Sequence, residues 1–222
     1  MLTPLNKINN ISFFNTLTKQ QKQQIASISI VTKYQKNTIL YYESDTSKNL
    51  LFLVSGLLKI FKLDKFDNEI FLYHIHKNSM ISELSSIKQN DIYCFSNAEF
   101  VEDSVVLSIN FEKFQELFLS KNILTIELME ILLDKTHQLQ CIVNRELVFD
   151  ATAKVAFMLS NDLEMFNKLK RQEVSFMLHI QPETLSRVLK KLSRNESIEI
   201  ENSEVKIKDK NALEYAFKGV GI

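Results

Sequence analysis

The chain has 222 residues, 45% hydrophobic and 24% charged, with 27 basic and 27 acidic side chains that leave no net charge; this is enough for one or two domains with a real core. No apolar run approaches the roughly 18 residues that a membrane span needs, the opening "MLTPLNKINN" lacks the apolar stretch of a secretory leader, and Cys94 and Cys141 are too few and too far apart for a disulfide framework or a CxxC metal pair, so a reducing cytoplasm is the expected location. The three glycines, Gly56, Gly219 and Gly221, cannot furnish a glycine-rich phosphate loop, which excludes the usual nucleotide hydrolases and dehydrogenases.

In chain order, "TKQQKQQIASI" (18–28) predicts a short helix capped by Thr18. From about 30 to 110, runs rich in β-branched and aromatic residues ("TILYYE", "LLFLVSGLLKIFKL", "EIFLYHIH", "IYCFSNAEF", "DSVVLSI") alternate with polar turns such as "DKFDN" and "IKQND". That spacing predicts a β-sandwich or barrel-like roll, with Gly56 marking a bend or bulge. "NFEKFQELFLS" then places Phe111, Phe114, Leu117 and Phe118 on one side of a short helix. Residues 122–147 contain neither glycine nor proline and predict one helix of about 26 residues, or ~39 Å. Its stripe of Leu128, Leu132, Leu139 and Val143, with Thr136 in the seam, is expected to pair with the same helix of a second copy.

A domain boundary is expected just before Asp150, the N-cap of the next helix. "RQEVSFMLHI" and "QPETLSRVLKKLSRN" predict two helices broken at 179–181, with Pro182 at the first position of the second, where its missing N–H costs nothing. "SIEIENSEVKIKD" alternates apolar Ile198, Ile200, Val205 and Ile207 about an "ENSE" turn, which predicts a hairpin. Helices followed by a hairpin in this order make a winged helix-turn-helix. Between 168 and 194 there are seven cationic and two anionic side chains, a local excess that suits phosphates despite the neutral whole. In such a motif the second helix enters the major groove and its first residues meet base edges. Here those are Glu183, Thr184, Ser186 and Arg187: Arg can clamp guanine, Glu can accept from cytosine N4, and Ser can serve either partner. Lys190, Lys191, Arg194, Gln181 and, on the preceding helix, Arg171 are the expected phosphate contacts, which give affinity without sequence choice. The alternative for Glu183 and Arg187 is an i,i+4 salt bridge on an exposed helix.

With these elements in place, the chain from roughly 12 to 210 resembles the Crp/Fnr superfamily of bacterial transcription regulators. "LFLVSGLLKIF" looks like the family's glycine-marked strand pair, "NEIFLYHIHKNSMISEL" like the strand leading into its effector segment, "LVFDATAKVAFML" like its hinge and first DNA-domain helix, and "RQEVSFMLHIQPETLSRVLKKL" like its helix-turn-helix. The resemblance implies an α+β chain: a cyclic-nucleotide-binding-like β-roll over 1–120, a dimerisation helix over 121–148 with a hinge near Phe149–Asp150, and a winged helix-turn-helix over 149–222. It also implies a homodimer on double-stranded DNA that is not an enzyme, contacts RNA polymerase if it is an activator, and has no membrane partner. Glu183, Ser186 and Arg187 resemble the Fnr-type reading set, which implies an inverted repeat of TTGA-type half-sites and, by association, respiratory or nitrosative stress control.

The family's cyclic-nucleotide binders hold phosphate with a Gly-Glu-Leu turn and an Arg-Ser pair. Here Glu83 and Leu84 remain, Ser82 and Ser85 replace glycines, Ile92 and Tyr93 stand where the pair would lie, and no arginine or lysine occurs between Lys88 and Lys113. Regulation through cyclic AMP is therefore not expected. Two cysteines cannot ligate an iron–sulfur cluster by themselves, and Cys141 is expected to be a packed helix residue rather than a redox sensor. The effector is unknown. His74 and His76, two apart on a presumed strand, and Glu83 are the weak candidates. They leave open a haem held by histidine, a cupin-like metal or small-molecule module, or no cofactor and no metal at all. A cyclic-nucleotide-dependent regulator is the remaining alternative.

Overall fold

The computed structural model describes residues 3–218, and the chain begins with two short helices, α1 (Pro4–Ile8) and α2 (Lys19–Ser27). Thr18 caps α2 in a reciprocal box: its hydroxyl accepts the Gln21 N–H, and the Gln21 side chain accepts the Thr18 N–H. Ten strands follow: β1 (Ser29–Tyr34), β2 (Ile39–Tyr41), β3 (Thr46–Ser47), β4 (Asn49–Ser55), β5 (Leu58–Leu63), β6 (Glu69–Ile75), β7 (Ser79–Met80), β8 (Ile92–Tyr93), β9 (Asn97–Phe100) and β10 (Ser104–Asn110). They pair antiparallel in the orders β1-β10-β4-β7 and β2-β9-β5-β6, with β3 and β8 as a separate ribbon. This is the expected roll. β1 was not among the expected strands, because "SIVTKY" is half polar and keeps only a half-buried face. Gly56, between β4 and β5, has φ of 99°, and a Cβ there would collide with Ser104, so the position admits glycine alone.

The apolar faces of the strands fill two clusters. One gathers Phe13, Phe14, Phe52, Phe111, Phe114 and Phe118, with Phe13 at 4.9 Å from Phe14 and 5.3 Å from Phe52 between ring centroids. The other gathers Leu53, Leu58, Ile60, Phe100 and Val106. Helix α3 (Phe111–Leu117) carries Phe111 and Phe114 into the first cluster.

The long helix α4 runs Thr125–Leu147, about 34 Å at 1.5 Å per residue. It starts three residues later than expected, because Asn122 (φ 56°) and Leu124 (φ 64°) adopt left-handed conformations that break the run. The expected pairing stripe is corrected here. Leu128 is 4% exposed and belongs to the phenylalanine-rich core, and Leu132 packs against that core, so neither is offered to a partner. Leu139 and Val143 are exposed, as are Ile126, Met129, Leu133 and Leu147. Ile126, Met129, Leu133, Thr136, Gln140, Val143 and Leu147 follow one another at alternating spacings of three and four, the a/d repeat of a coiled-coil seam.

The contacts divide the chain into two units, Met1–Thr136 and His137–Ile222. The second unit contains α5 (Ala151–Asn161), α6 (Leu163–Lys168), α7 (Arg171–Met177), α8 (Pro182–Arg194), β11 (Ile198–Glu201), β12 (Glu204–Ile207) and α9 (Lys210–Lys218). Asp150 caps α5 as expected, accepting the Ala153 N–H at 2.7 Å. Asp162 ends that helix and caps a separate α6, accepting the Met165 N–H. Helix α5 packs against α6, α8 and α9. Phe149 sits against Phe157 and Phe217 at 5.6 and 6.0 Å.

Candidate nucleic-acid interface

Helix α7 is held from below by Val174 and Leu178, both buried, and Glu173 accepts the Lys170 N–H at its start. It ends where His179 turns left-handed (φ 52°), with the Ile180 N–H donating to the Ser175 carbonyl. Gln181 then precedes Pro182 without capping α8 through its side chain. Leu185, Val188, Leu189 and Leu192 bury one side of α8.

The opposite side carries the expected reading set. Glu183, Ser186, Arg187, Lys190, Lys191 and Arg194 are exposed and border one open concavity. Among the described residues no ion pair joins Glu183 to Arg187, so the salt-bridge alternative is not the arrangement seen. Thr184 is half-buried and lies outside that concavity, while Gln181 is exposed at the helix start. Four cations and one anion on a single helix face suit a polyanion better than a small neutral ligand.

Arg171 is placed differently from its expected use. Its guanidinium lies over the Phe166 ring at 4.5 Å and donates to the Ser203 carbonyl at 2.6 Å, and burial lowers its pKa. It ties the start of α7 to the tip of the β11–β12 hairpin. That hairpin turns on Asn202 and Ser203, both left-handed (φ 48° and 71°), the two-residue turn that suits the natural twist of paired strands. Asn167 of α6 adds two bonds to it: its amide donates to the Val205 carbonyl and its oxygen accepts the Val205 N–H, both at 2.9 Å. Lys206 and Lys208 are paired with Glu201 and Glu199, so the hairpin spends its lysines internally. Nothing in the sequence pattern marked Asn167, because an Asn near a helix end reads equally well as a solvated cap.

In the first unit, Glu83 accepts three hydrogen bonds: from Tyr73 Oη at 2.9 Å, from the Phe95 N–H at 3.1 Å and from Ser96 Oγ at 3.2 Å. Burial, and then the Glu83 charge, push the Tyr73 and Tyr41 phenols well above their ordinary value. Ser82 is buried and its hydroxyl accepts the Leu51 N–H. His74 packs against Phe71 and lies 6.4 Å from His76 between ring centroids. Burial first, then the His76 and Lys59 charges, hold its pKa down to about 4. Glu83 does not join the two histidines; its partners come from Tyr73 and the 95–96 segment. Among the described residues no three His, Cys, Asp or Glu side chains are grouped to hold a metal ion. Cys94 is buried, whereas Cys141 is exposed, contrary to the expectation that it is packed. Among the described residues no helix is long and apolar enough to cross a membrane.

Known protein families match one stretch in each of the two units. Residues 31–121 match the cyclic nucleotide-binding domain family and residues 155–216 the Crp-like helix-turn-helix domain family. The anaerobic regulatory protein of Bacillus subtilis is 31% identical over 106 residues, which is 48% of this chain and 44% of that protein's length. In fold, the chain is similar to FixK2 from Bradyrhizobium japonicum, with a TM-score of 0.68 at 16% identity over 87% of this chain and 100% of that one. It is also similar to a CooA mutant from Carboxydothermus hydrogenoformans, with a TM-score of 0.66 at 20% identity over 84% and 87% of the two chains. At these identities the structural likenesses speak for the fold alone.

Proposed function

We propose that the chain, which carries the cyclic nucleotide-binding and Crp-like helix-turn-helix domains of the Crp/Fnr superfamily of transcription regulators, binds an inverted repeat of TTGA-type half-sites as a homodimer, independently of cyclic AMP. The observation that carries this reading is the outward face of α8, where Glu183, Ser186 and Arg187 stand together with no side-chain partner among the described residues. Arg187 reads guanine, Glu183 accepts from cytosine, and Ser186 contacts an adjacent base edge. Lys190, Lys191 and Arg194, helped by Gln181 at the helix start, take the phosphates. Thr184 borders the base-reading group. Arg171 supports the hairpin from behind, with any phosphate contact left to its remaining N–H groups.

The dimer forms along the exposed seam of α4 from Ile126 to Leu147, which supports a parallel pair and a half-site separation of about 34 Å. Independence from cyclic AMP is supported by Ser82, which stands where the family's nucleotide binders carry glycine and whose buried hydroxyl accepts the Leu51 N–H, and by the absence of any arginine or lysine between Lys88 and Lys113. Respiratory or nitrosative stress control is supported by the likeness to an anaerobic regulatory protein. RNA polymerase is the further partner if the protein activates.

The direct test is retardation of a duplex carrying the inverted repeat against a scrambled duplex of equal length, at low and at physiological salt. Preference for the repeat that survives physiological salt is the expected result. Equal retardation of both duplexes at every salt concentration defeats the reading. Calorimetry with cyclic AMP is expected to show no micromolar binding.

A further inference from the structure

The joint between α4 and the helix-turn-helix contains a partly buried charge cluster that the reading of DNA by α8 does not use. Glu146, on the last turn of α4, accepts from Arg145 Nε at 2.7 Å through one oxygen. Its other oxygen meets Lys154 Nζ of α5 at 3.3 Å and His179 Nδ1 at 2.9 Å. The side chains are little exposed: 28% for Glu146, 27% for His179, 12% for Arg145 and 10% for Lys154. His179 is the left-handed residue of the turn between α7 and α8, two residues before the α8 N-cap–Pro182 step. We infer that Glu146 is a positioning residue: through His179 it latches the turn that launches α8 to the last turn of α4. This inference rests on the DNA-reading function proposed above.

Four observations support a latch rather than an incidental surface pair. The carboxylate has three donors from three different places in the fold, two of them nearly out of solvent, and a partly buried acceptor shared in this way is costly to remove. Burial works against its ionisation, yet the hydrogen bonds from His179 and Arg145 outweigh it and hold its pKa down to about 2. Val143 and Leu147 of the exposed seam lie on the same turns of α4 as Glu146. The connection beyond, at Phe149, is clamped by Phe157 and Phe217. The latch therefore links the residues that would set the spacing of two copies to the residue that sets the direction of the reading helix. Its effect belongs to paired half-sites, where the separation of two α8 helices matters, and not to one half-site taken alone.

The test compares the full chain and three variants on two duplexes, one with the TTGA inverted repeat and one with a single half-site. His179→Gly removes the ring but suits the left-handed backbone better than histidine does. His179→Asn tolerates the same backbone and returns an N–H donor near the place of Nδ1. Glu146→Gln keeps the shape and removes the charge. The expected result is a loss of about tenfold on the inverted repeat for His179→Gly and Glu146→Gln, the size that losing one charge-assisted hydrogen bond supports. Half-site affinity stays unchanged, and His179→Asn recovers most of the loss. Wild-type affinity of His179→Gly for the inverted repeat overturns the latch, and so does an equal loss on both duplexes, which would mark damage to the fold. A wild-type chain that does not prefer the inverted repeat over scrambled DNA is a different failure, that of the reading on which the latch rests.

Discussion

Glu83 accepts hydrogen bonds from Tyr73, Ser96 and the Phe95 N–H of its own domain, whereas Glu183 stands exposed on α8 with no such partner among the described residues. The same contrast holds more widely. In the roll, Lys59 lies between Glu69 and Glu99 at 2.8 and 2.7 Å, and Lys62 meets Glu43. On α8, four cations share a face with Glu183, and among the described residues no ion pair engages any of them. Where polar side chains satisfy one another, their interactions stabilise the fold. Where they are collected and left unpaired, their interaction energy is available to an outside partner.

The contrast can be broken at several points. The largest effect is expected from Leu133→Glu combined with Val143→Glu, which places like charges in the exposed seam of α4. Sedimentation should show monomers, and affinity for the inverted repeat should fall by roughly 100- to 10,000-fold, the gain that linkage of two sites provides. Leu128→Ala, on the adjoining face, should instead lower stability by about 2–5 kcal/mol and leave the dimer intact. Next, Arg187→Ala should cost about 1–3 kcal/mol of discrimination between the repeat and scrambled DNA, measured by competition binding. Lys191→Ala should weaken both duplexes alike and reduce the salt slope by about one. In the roll, Glu83→Ala leaves the Tyr73 and Ser96 hydroxyls and the Phe95 N–H without their acceptor. A drop of about 2–3 kcal/mol in urea unfolding is expected, with DNA discrimination unchanged.

The smallest expected effect is on acid stability. His74 is held at about 4 against an ordinary value of 6.5, so between those values the unfolded chain binds the extra proton. The stability it contributes is present above about pH 6.5 and is lost as pH falls toward 4. His74→Gln should flatten unfolding midpoints across that window. Glu146 acts lower on the scale: its depressed pKa gives stability that is present above its ordinary 4.5 and lost as pH falls toward about 2.

Much of this organisation was legible in the amino-acid order. Proline at the first position of α8, the helix break at 179–181 and the alternation about "ENSE" identify the helix-turn-helix and its hairpin, because each rests on local backbone chemistry. The alternating runs from 30 to 110 identify the roll for the same reason. What was not legible depended on contacts between distant segments. Leu128 and Leu133 both read as apolar positions of one helix, and only the phenylalanine-rich core of the first unit decides which faces inward. The break at Asn122–Leu124 was hidden because leucine rarely turns left-handed. Arg171 read as a phosphate contact since an exposed arginine near a basic helix usually is one, and the Ser203 carbonyl that claims it lies far along the chain.

Asn167 carries one further consequence. Two strands alone make a marginal sheet, and an outer strand with unused N–H and C=O groups invites another chain to add itself. By giving Val205 both the acceptor and the donor that a third strand would supply, α6 closes that margin of the hairpin at its middle. The wing can project toward a partner without becoming a template for aggregation, and Asn167→Ala should reveal the hazard as concentration-dependent light scattering.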